Sequence, residues 1–388
     1  MPKTKALCIF STLLGNRAMA ARLVEILNRF PEFEPTYVHV NAEDYNAIPA
    51  PWWVRLTNPW HAEFLARQKA CPAMNLPFEL LLVQGWELTV AFRHLAHRLP
   101  AAVLLDSVPA TVDAQQRQQG RNGWRRWLSH QIHHRQFARA AKDFRFFLPM
   151  GSDCMGALER DYGVEPSRCF ITLAPQDLPL WEAAARDYRS PLQILFAGND
   201  FVRKGGDFLL QLYADHLAGD WTLTIASNDP AIATRPLPKG VEWLRGRNHD
   251  QMLDVYRSHD VFLLPTRQDY MPQVLAEALA TGLPCLATDV GGVRDLVRDG
   301  ETGFLMPAGA PASAWAGRLR GLAANPAEIR RLSIGARRFA EERLGLNRFE
   351  DLVRKTVSLL RSAPSPALSG GEPDFPFVFT DEFRSVQR

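Results

Sequence analysis

Two α/β domains in tandem, each a doubly wound parallel sheet, are predicted by three observations. The chain has 388 residues. Short apolar runs alternate with stretches of helical spacing through both halves. A proline-containing stretch near residue 175 separates the halves. A chain this long exceeds one compact core and suits two domains of roughly 100–200 residues each. Strands alternating with helices imply a parallel sheet covered on both faces. The domains expected are residues 1–175, residues 176–345, and a terminal helix with a loosely held tail at 346–388.

The first half opens with ALCIF (6–10), a polar loop STLLGNR, and AMAARLVEILNRF with its apolar positions at helical spacing. This is a strand, loop, helix unit. TYVHV (36–40), LLLV (80–83) before a helical 88–98, AAVLL (101–105) leading to Asp106 and Ser107, and FRFFL (144–148) leading to Gly151 and Ser152 repeat the outline. The second half restarts after LAPQDLPLWEAAARDYRSP. LQILFAG (192–198), WTLTIAS (221–227), VEWLRG (241–246), DVFLLPT (260–266) and PCLATD (284–289) read as buried strands, each followed by a loop and a helix. From 310 to 362 the pattern is helical, and SAPSPALSGGEPDFPFVF after it is rich in Pro, Gly and Ser. Two such sheets in tandem set their carboxyl ends on either side of a cleft, where ligands of doubly wound folds bind.

Formal net charge is +3, yet residues 114–142 hold seven Arg or Lys and no acid, so the basicity is local. The five cysteines are widely spaced without a C-x-x-C pair, which favours a reducing cytoplasm over a disulfide framework or a zinc site. The first twenty residues imitate a secretory leader, but Ser11 and Thr12 interrupt the apolar run and Arg17 follows it, so none is expected. No run of about 18 apolar residues occurs, and no membrane-spanning helix is expected.

The stretch QDYMPQVLAEALATGLPCLATDVGGVRDLV (268–297) carries the clearest chemistry. Pro272 suits a first helical turn and Thr281-Gly282 a helix end, which bounds a helix at about 273–280. QVLAEALA is apolar nearly all round and describes a buried helix. Glu277 sits in its middle, where Gln273, Val274, Ala280 and Thr281 at i±3 and i±4 leave it no ion partner. An unpaired buried carboxylate costs several kcal/mol. Glu277 therefore needs donors from elsewhere in the fold or from a ligand, and sugar hydroxyls are such donors. Asp269, just ahead of the helix, is either a helix cap or the partner of Glu277 around a polyol. In LFAGNDFVRKGGDFLL (195–210), Gly198, Arg203, Lys204 and two further glycines at a helix start supply the ingredients of a phosphate site; the alternative is a solvated basic turn. Gly291-Gly292 lets backbone approach a ligand closely.

With these residues in order, the second half resembles the nucleotide-sugar domain of a GT-B glycosyltransferase of family 4. Asp269-x7-Glu277, then Ala280-Thr281-Gly282-Leu283-Pro284, then Gly291-Gly292 follow that family's signature, with GETGFLMPAG (300–309) as its next element. The resemblance covers about 192–345 and is architectural before that. It implies a GT-B fold of two Rossmann-like domains facing a cleft, and a retaining transfer of sugar from a nucleotide-diphosphate donor. It implies that Asp269 meets the transferred sugar, Glu277 holds the ribose and Lys204 clamps the diphosphate. On the donor side it further implies Gly15, Gly198, Asn199, Arg203, Arg247 and the helix start Met271, Pro272, Gln273 and Val274. Two departures stand out. The first acid is Asp where the family has Glu, and Asn199 stands where the family often has Arg.

In the first half, Asp106 is the candidate that meets the anomeric centre, beside Gln84-Gly85-Trp86; the alternative for Asp106 is a helix cap. No D-x-D occurs, so no metal and no cofactor beyond the donor substrate are expected, Arg203 and Lys204 neutralising the leaving diphosphate. His130, His133 and His134 lack partnering carboxylates and are expected on a solvated helix face. In RNGWRRWLSHQIHHRQFARAAK (121–142), Trp124, Trp127, Leu128 and Ile132 either rest on an anionic membrane surface or pack on the first sheet. PAPWWVRLTNPW (49–60) suits an acceptor-side role. The expected partners are a nucleotide sugar and a glycan or lipid-linked acceptor, with no nucleic acid, in the cytoplasm or at the inner face of the membrane. The rival expectations are a hydrolase or epimerase of the same architecture and a silent binding domain.

Overall fold

Near-continuous apolar runs without room for an alternating pattern fold as strands buried on both faces. The computed structural model describes residues 3–11, 16–40, 77–118, 120, 123–182, 188 and 191–362. In the first half these runs form β1 (Thr4–Ser11), α1 (Asn16–Asn28), β2 (Phe33–Val40), β3 (Leu80–Gln84), α2 (Trp86–Ala91), α3 (Arg93–Ala96), β4 (Ala101–Leu105), α4 (Pro109–Gln118), α5 (Trp124–Ala140), β5 (Phe146–Pro149) and α6 (Ser152–Tyr162). All pairings in this sheet are parallel, in the order β2-β1-β3-β4-β5. The helix expected over 88–98 is two short ones, broken at Phe92.

The second half adds β6 (Leu192–Ala197), α7 (Gly206–Leu212), β7 (Trp221–Ala226), β8 (Val241–Leu244), α8 (His249–Arg257), β9 (Val261–Leu264), α9 (Gln273–Ala280), β10 (Cys285–Thr288), α10 (Val293–Leu296), β11 (Gly303–Met306), α11 (Ala312–Ala323), α12 (Pro326–Arg343) and α13 (Leu346–Ser362). Its sheet is also parallel, in the order β11-β10-β9-β6-β7-β8. The edge strand β11 was not expected as a strand. Helix α9 occupies the bounds read from Pro272 and Gly282. It ends where Gly282 turns to φ +69° and Arg337 of α12 donates to the Ala280 carbonyl at 2.6 Å. A cation at a helix C-terminus also complements its dipole.

Helix α13 crosses back to the first sheet. Val353, Thr356 and Val357 pack with Phe10, Leu23 and Leu104 around a small cavity. At the rim, Arg354 meets Glu32 at 3.5 Å and Arg29 meets Glu350 at 3.4 Å. Exposed pairs of this kind contribute about 0–1 kcal/mol each, so the apolar contact is what holds the helix there. Residues 363–388, the expected tail, and 49–60, the tryptophan-rich loop, lie outside the described residues.

The histidine expectation is corrected. His130 and His133 are buried, because α5 turns them inward: His130 Nε2 lies 3.1 Å from Asp113 Oδ1, and the His133 ring packs 5.3 Å from Trp86. Burial pushes His133 down to about 4, so it is a neutral core residue.

Candidate functional site

In the second sheet the chain order reverses between β6 and β9, which are adjacent strands with their connections leaving in opposite directions. Ligands of open parallel sheets bind at the carboxyl end of such a switch point. The loops after β6 and β9 meet there: Arg267 N donates to Arg203 O at 2.9 Å, and Arg203 Nη1 donates to Gln268 O at 2.6 Å.

Glycines make this meeting possible. Gly198, at the end of β6, has φ +152°, and a Cβ there would lie 2.3 Å from Lys204 Cδ, so the lysine stem lies directly across the glycine. Gly205 has φ +78°, and a Cβ would lie 1.9 Å from the Pro265 carbonyl oxygen. Backbone cannot yield by that much without moving β9. Gly205→Ala is expected to lower the unfolding free energy by about 2–4 kcal/mol, measured by urea denaturation; an unchanged midpoint contradicts this packing.

Lys204 is buried, and its Nζ lies 2.7 Å from Asp269 Oδ2. Arg203 Nη1 is 3.6 Å from the same oxygen, while its Nε binds Asp200 Oδ2 at 2.6 Å. Asp269 therefore serves the cations of the β6 loop. It does not cap α9, whose N-cap is Pro272 with no side-chain bond. Two cations held by one acid at a cleft present a site that an anionic ligand can enter by replacing the acid as partner.

Glu277 faces the same side of α9. Its Oε2 accepts from Tyr256 Oη at 2.8 Å, and Tyr256 is fully buried. Helix α8 carries that tyrosine inward. It starts at a capping box of Asn248 and Gln251, with bonds of 2.9 and 3.0 Å, which sets the face that Leu253 and Tyr256 bury. Burial and the adjacent carboxylate raise the phenol well above its usual range, so it stays a donor. From the other domain, Arg22 of α1 donates to Gln273 Oε1 at 3.3 Å and to Gln176 Oε1 at 3.1 Å; burial lowers its guanidinium below the usual range, opposed most by the Glu277 charge.

The first domain brings its own carboxyl ends to the opposite side. Burial raises the Asp106 carboxyl, opposed by bonds from Ser107, and the Asp269 charge adds to the rise. Ser107 Oγ donates to Asp106 Oδ1 at 3.1 Å. Helix α4 begins at Pro109, beyond the reach expected of an Asp106 cap. Ser152 N donates across the cleft to Asp295 Oδ2 at 2.7 Å, and Gly151 leaves room for Met271.

Residues 191–325 match the family model described as Glycosyl transferases group 1. The second half of the chain carries a glycosyl transferases group 1 domain. The curated D-inositol 3-phosphate glycosyltransferase of Rhodococcus opacus (strain B4) is 30% identical over 208 residues, which is 47% of this chain and 46% of that protein. The chain thus spans about half the length of the curated relatives it matches. Among solved structures, sucrose-phosphate synthase from Thermosynechococcus elongatus superposes with a TM-score of 0.76 at 14% identity, over 93% of this chain and 100% of that one. Anabaena HepE in complex with UDP-glucose superposes with a TM-score of 0.68 at 15% identity, over 92% and 99%. These likenesses show the two-sheet α/β fold of GT-B proteins over 92–93% of the chain.

Within this glycosyl transferases group 1 domain, the structure gathers Gly198, Arg203, Lys204 and Asp269 in one cluster at the switch point. Pro272, Gln273, Val274 and Glu277 follow on α9, where Met271 is buried against the first domain. Asn199 is exposed and its Oδ1 accepts from Asn228 N at 2.9 Å, tying the β6 and β7 loops together. Arg247 is exposed in the loop after β8, apart from that cluster. Gly15 lies outside the described residues. No group of three metal-ligating side chains occurs among the described residues.

Tyr256 and Glu87 went unforeseen. Glu87, in the first turn of α2, reads in sequence as a dipole partner. In the fold, burial lifts its carboxyl from 4.5 to about 7, with the Asp106 charge contributing to the rise. Between those two values the folded state holds a proton that the unfolded state has released. Stability therefore falls as pH rises from 4.5 to 7, on the order of 3 kcal/mol in full. Glu87→Gln is expected to flatten this part of the denaturation profile; parallel profiles for variant and wild type contradict the assignment.

Proposed function

We propose that the chain is a retaining glycosyltransferase that moves a sugar from a nucleotide-diphosphate sugar to a glycan or lipid-linked acceptor, in cell-surface polysaccharide or glycoconjugate synthesis. The observation that carries this reading is the Lys204–Asp269 pair, with Arg203 beside it, at the switch point of the second sheet. The donor diphosphate takes Lys204 and Arg203 as its partners, freeing Asp269 for a hydroxyl of the sugar. Glu277, oriented by Tyr256, accepts from the ribose hydroxyls. As the bond from the anomeric carbon to the phosphate oxygen breaks, the acceptor oxygen bonds to that carbon on the same face. The acceptor proton passes to the departing phosphate, and the two cations stabilise its charge. Asp106 and Glu87 line the acceptor side, and closure of the domains excludes water. The neutralising charges are side chains, so this reading calls for no metal and no cofactor besides the donor. Free Cys8, Cys154, Cys169 and Cys285 support a reducing, cytoplasmic setting.

The test is a panel of UDP-, GDP- and ADP-sugars, with nucleotide release measured with and without candidate acceptors. Acceptor-dependent release is expected. Equal release without acceptor makes the protein a hydrolase, and binding without release makes it a silent binding domain; either overturns the proposal.

A further inference from the structure

Among the described residues, the buried side chains of helix α5 lie on one face. Its inner face buries His130, His133, Phe137 and Ala140, with Phe137 set edge-on to Tyr162 at 4.7 Å. Its outer face leaves three large apolar side chains in solvent: Trp124 is 72% exposed, Trp127 60% and Leu128 46%. The three positions sit together over one turn of helix, since residues three and four apart share a face. Further along the same outer face come Arg135 and Arg139, both exposed. Residues 114–142 contain no acid at all. The acid that precedes them, Asp113, is already engaged by Arg117 at 2.5 Å and by His130 at 3.1 Å.

Among the described residues, core packing accounts for the inner face and not for the exposed Trp127 and Leu128. Interfacial helices combine tryptophan and leucine with arginine in this way. Topology also fixes where the apolar turn lies. Ala140 precedes β5 by five residues, at the amino edge of the sheet. Seventeen residues of helix rise about 25 Å, which carries Trp124 and Trp127 to the carboxyl edge, where Asp106 and Glu87 stand.

We propose that the outer face of α5 docks on an anionic phospholipid surface, with Trp127 and Leu128 entering the headgroup layer and Arg135 and Arg139 meeting lipid phosphates and carboxylates. The charge complementarity selects this occupant. A protein partner or second copy would have to supply a compensating acidic groove, whereas an anionic bilayer supplies negative charge over the whole face. Each arginine near such a surface strengthens binding about fivefold. The proposal stands on this surface alone and does not require the donor reading.

The test is co-sedimentation of the full chain with vesicles of phosphatidylcholine alone and of phosphatidylcholine containing about one-third phosphatidylglycerol. Wild type is expected to bind the anionic vesicles at least about tenfold more tightly than the neutral ones, and less tightly as salt rises. Trp127→Ala with Leu128→Ala is expected to weaken anionic-vesicle binding about tenfold or more, and Arg135→Glu with Arg139→Glu likewise. All four positions are solvent-facing, so the thermal unfolding midpoint checks that both variants remain folded. Absence of wild-type binding, equal binding to both vesicle types, or binding unaffected by the Trp127 and Leu128 substitutions overturns the proposal. A dimer in lipid-free solution that the same double substitution dissociates assigns the face to a second copy and overturns it too.

Discussion

Replacing Lys204 by alanine is expected to lower turnover of the donor by about a hundred- to a thousandfold. The ammonium is the one group that lies over Gly198 and reaches Asp269, at 2.7 Å, from a buried position. Arg203 is the second cation and does not replace it, because its Nε is held by Asp200 and its Nη1 by Gln268 O, each at 2.6 Å. The leaving diphosphate would then develop its charge without its nearest cation. Affinity for the free nucleoside diphosphate should fall as well, by about tenfold. Lys204→Arg tests geometry against charge, since a guanidinium is too broad to lie along Gly198 as the lysine stem does. Its turnover should stay near that of the alanine variant, and recovery to wild-type rates would mean that charge alone suffices. Steady-state rates and a titration of nucleotide check both effects.

Replacing Asp269 by alanine should separate binding from turnover. Asp269 is paired with Lys204 and lies near Arg203, so a phosphate must compete with it for both cations. Removing it leaves Lys204 without its acid, while Arg203 keeps Asp200, so nucleoside diphosphate should bind as tightly as in wild type or more tightly. Turnover should nonetheless drop by about a hundredfold, because the carboxylate that holds the transferred sugar is gone. A merely structural role would weaken both together. The shorter side chain found here also has a physical consequence: as Asp, it remains within 2.7 Å of Lys204, close to the phosphate loop. A Glu in its place would extend one methylene further toward the sugar.

The fold and part of the candidate site were legible because they rest on local patterns. Apolar runs such as AAVLL became β4 with the same ends, and Pro272 and Gly282 marked the bounds of α9 through backbone geometry that only such residues favour. Lys204 and Asp269 were legible because each sits at a strand end beside a glycine or a buried helix. What remained hidden depends on pairing across distance. Tyr256 is twenty-one residues from Glu277, and only the packing of α8 against α9 brings its hydroxyl to the carboxylate. In sequence it is one more inward aromatic of an amphipathic helix. Glu87 looks like a surface acid until β3 and β4 are placed side by side, which sets it near Asp106. The histidines misled for the converse reason: their basic neighbours suggested solvent, while helical spacing turned His130 and His133 toward Asp113 and Trp86.

The central claim is that the β6 loop and α9 together hold a nucleoside diphosphate, with Glu277 on its ribose. Calorimetric titration of wild type and Glu277→Ala with UDP, GDP and ADP addresses it without needing an acceptor. Tyr256→Phe, which keeps the carboxylate and removes its one donor among the described residues, serves as a control of intermediate effect. One of the three nucleotides should bind wild type, and Glu277→Ala should bind it about thirty- to a hundredfold more weakly while remaining folded at the temperature of the titration. Equal affinity in the two proteins, or no binding of any of the three to wild type, would contradict the claim.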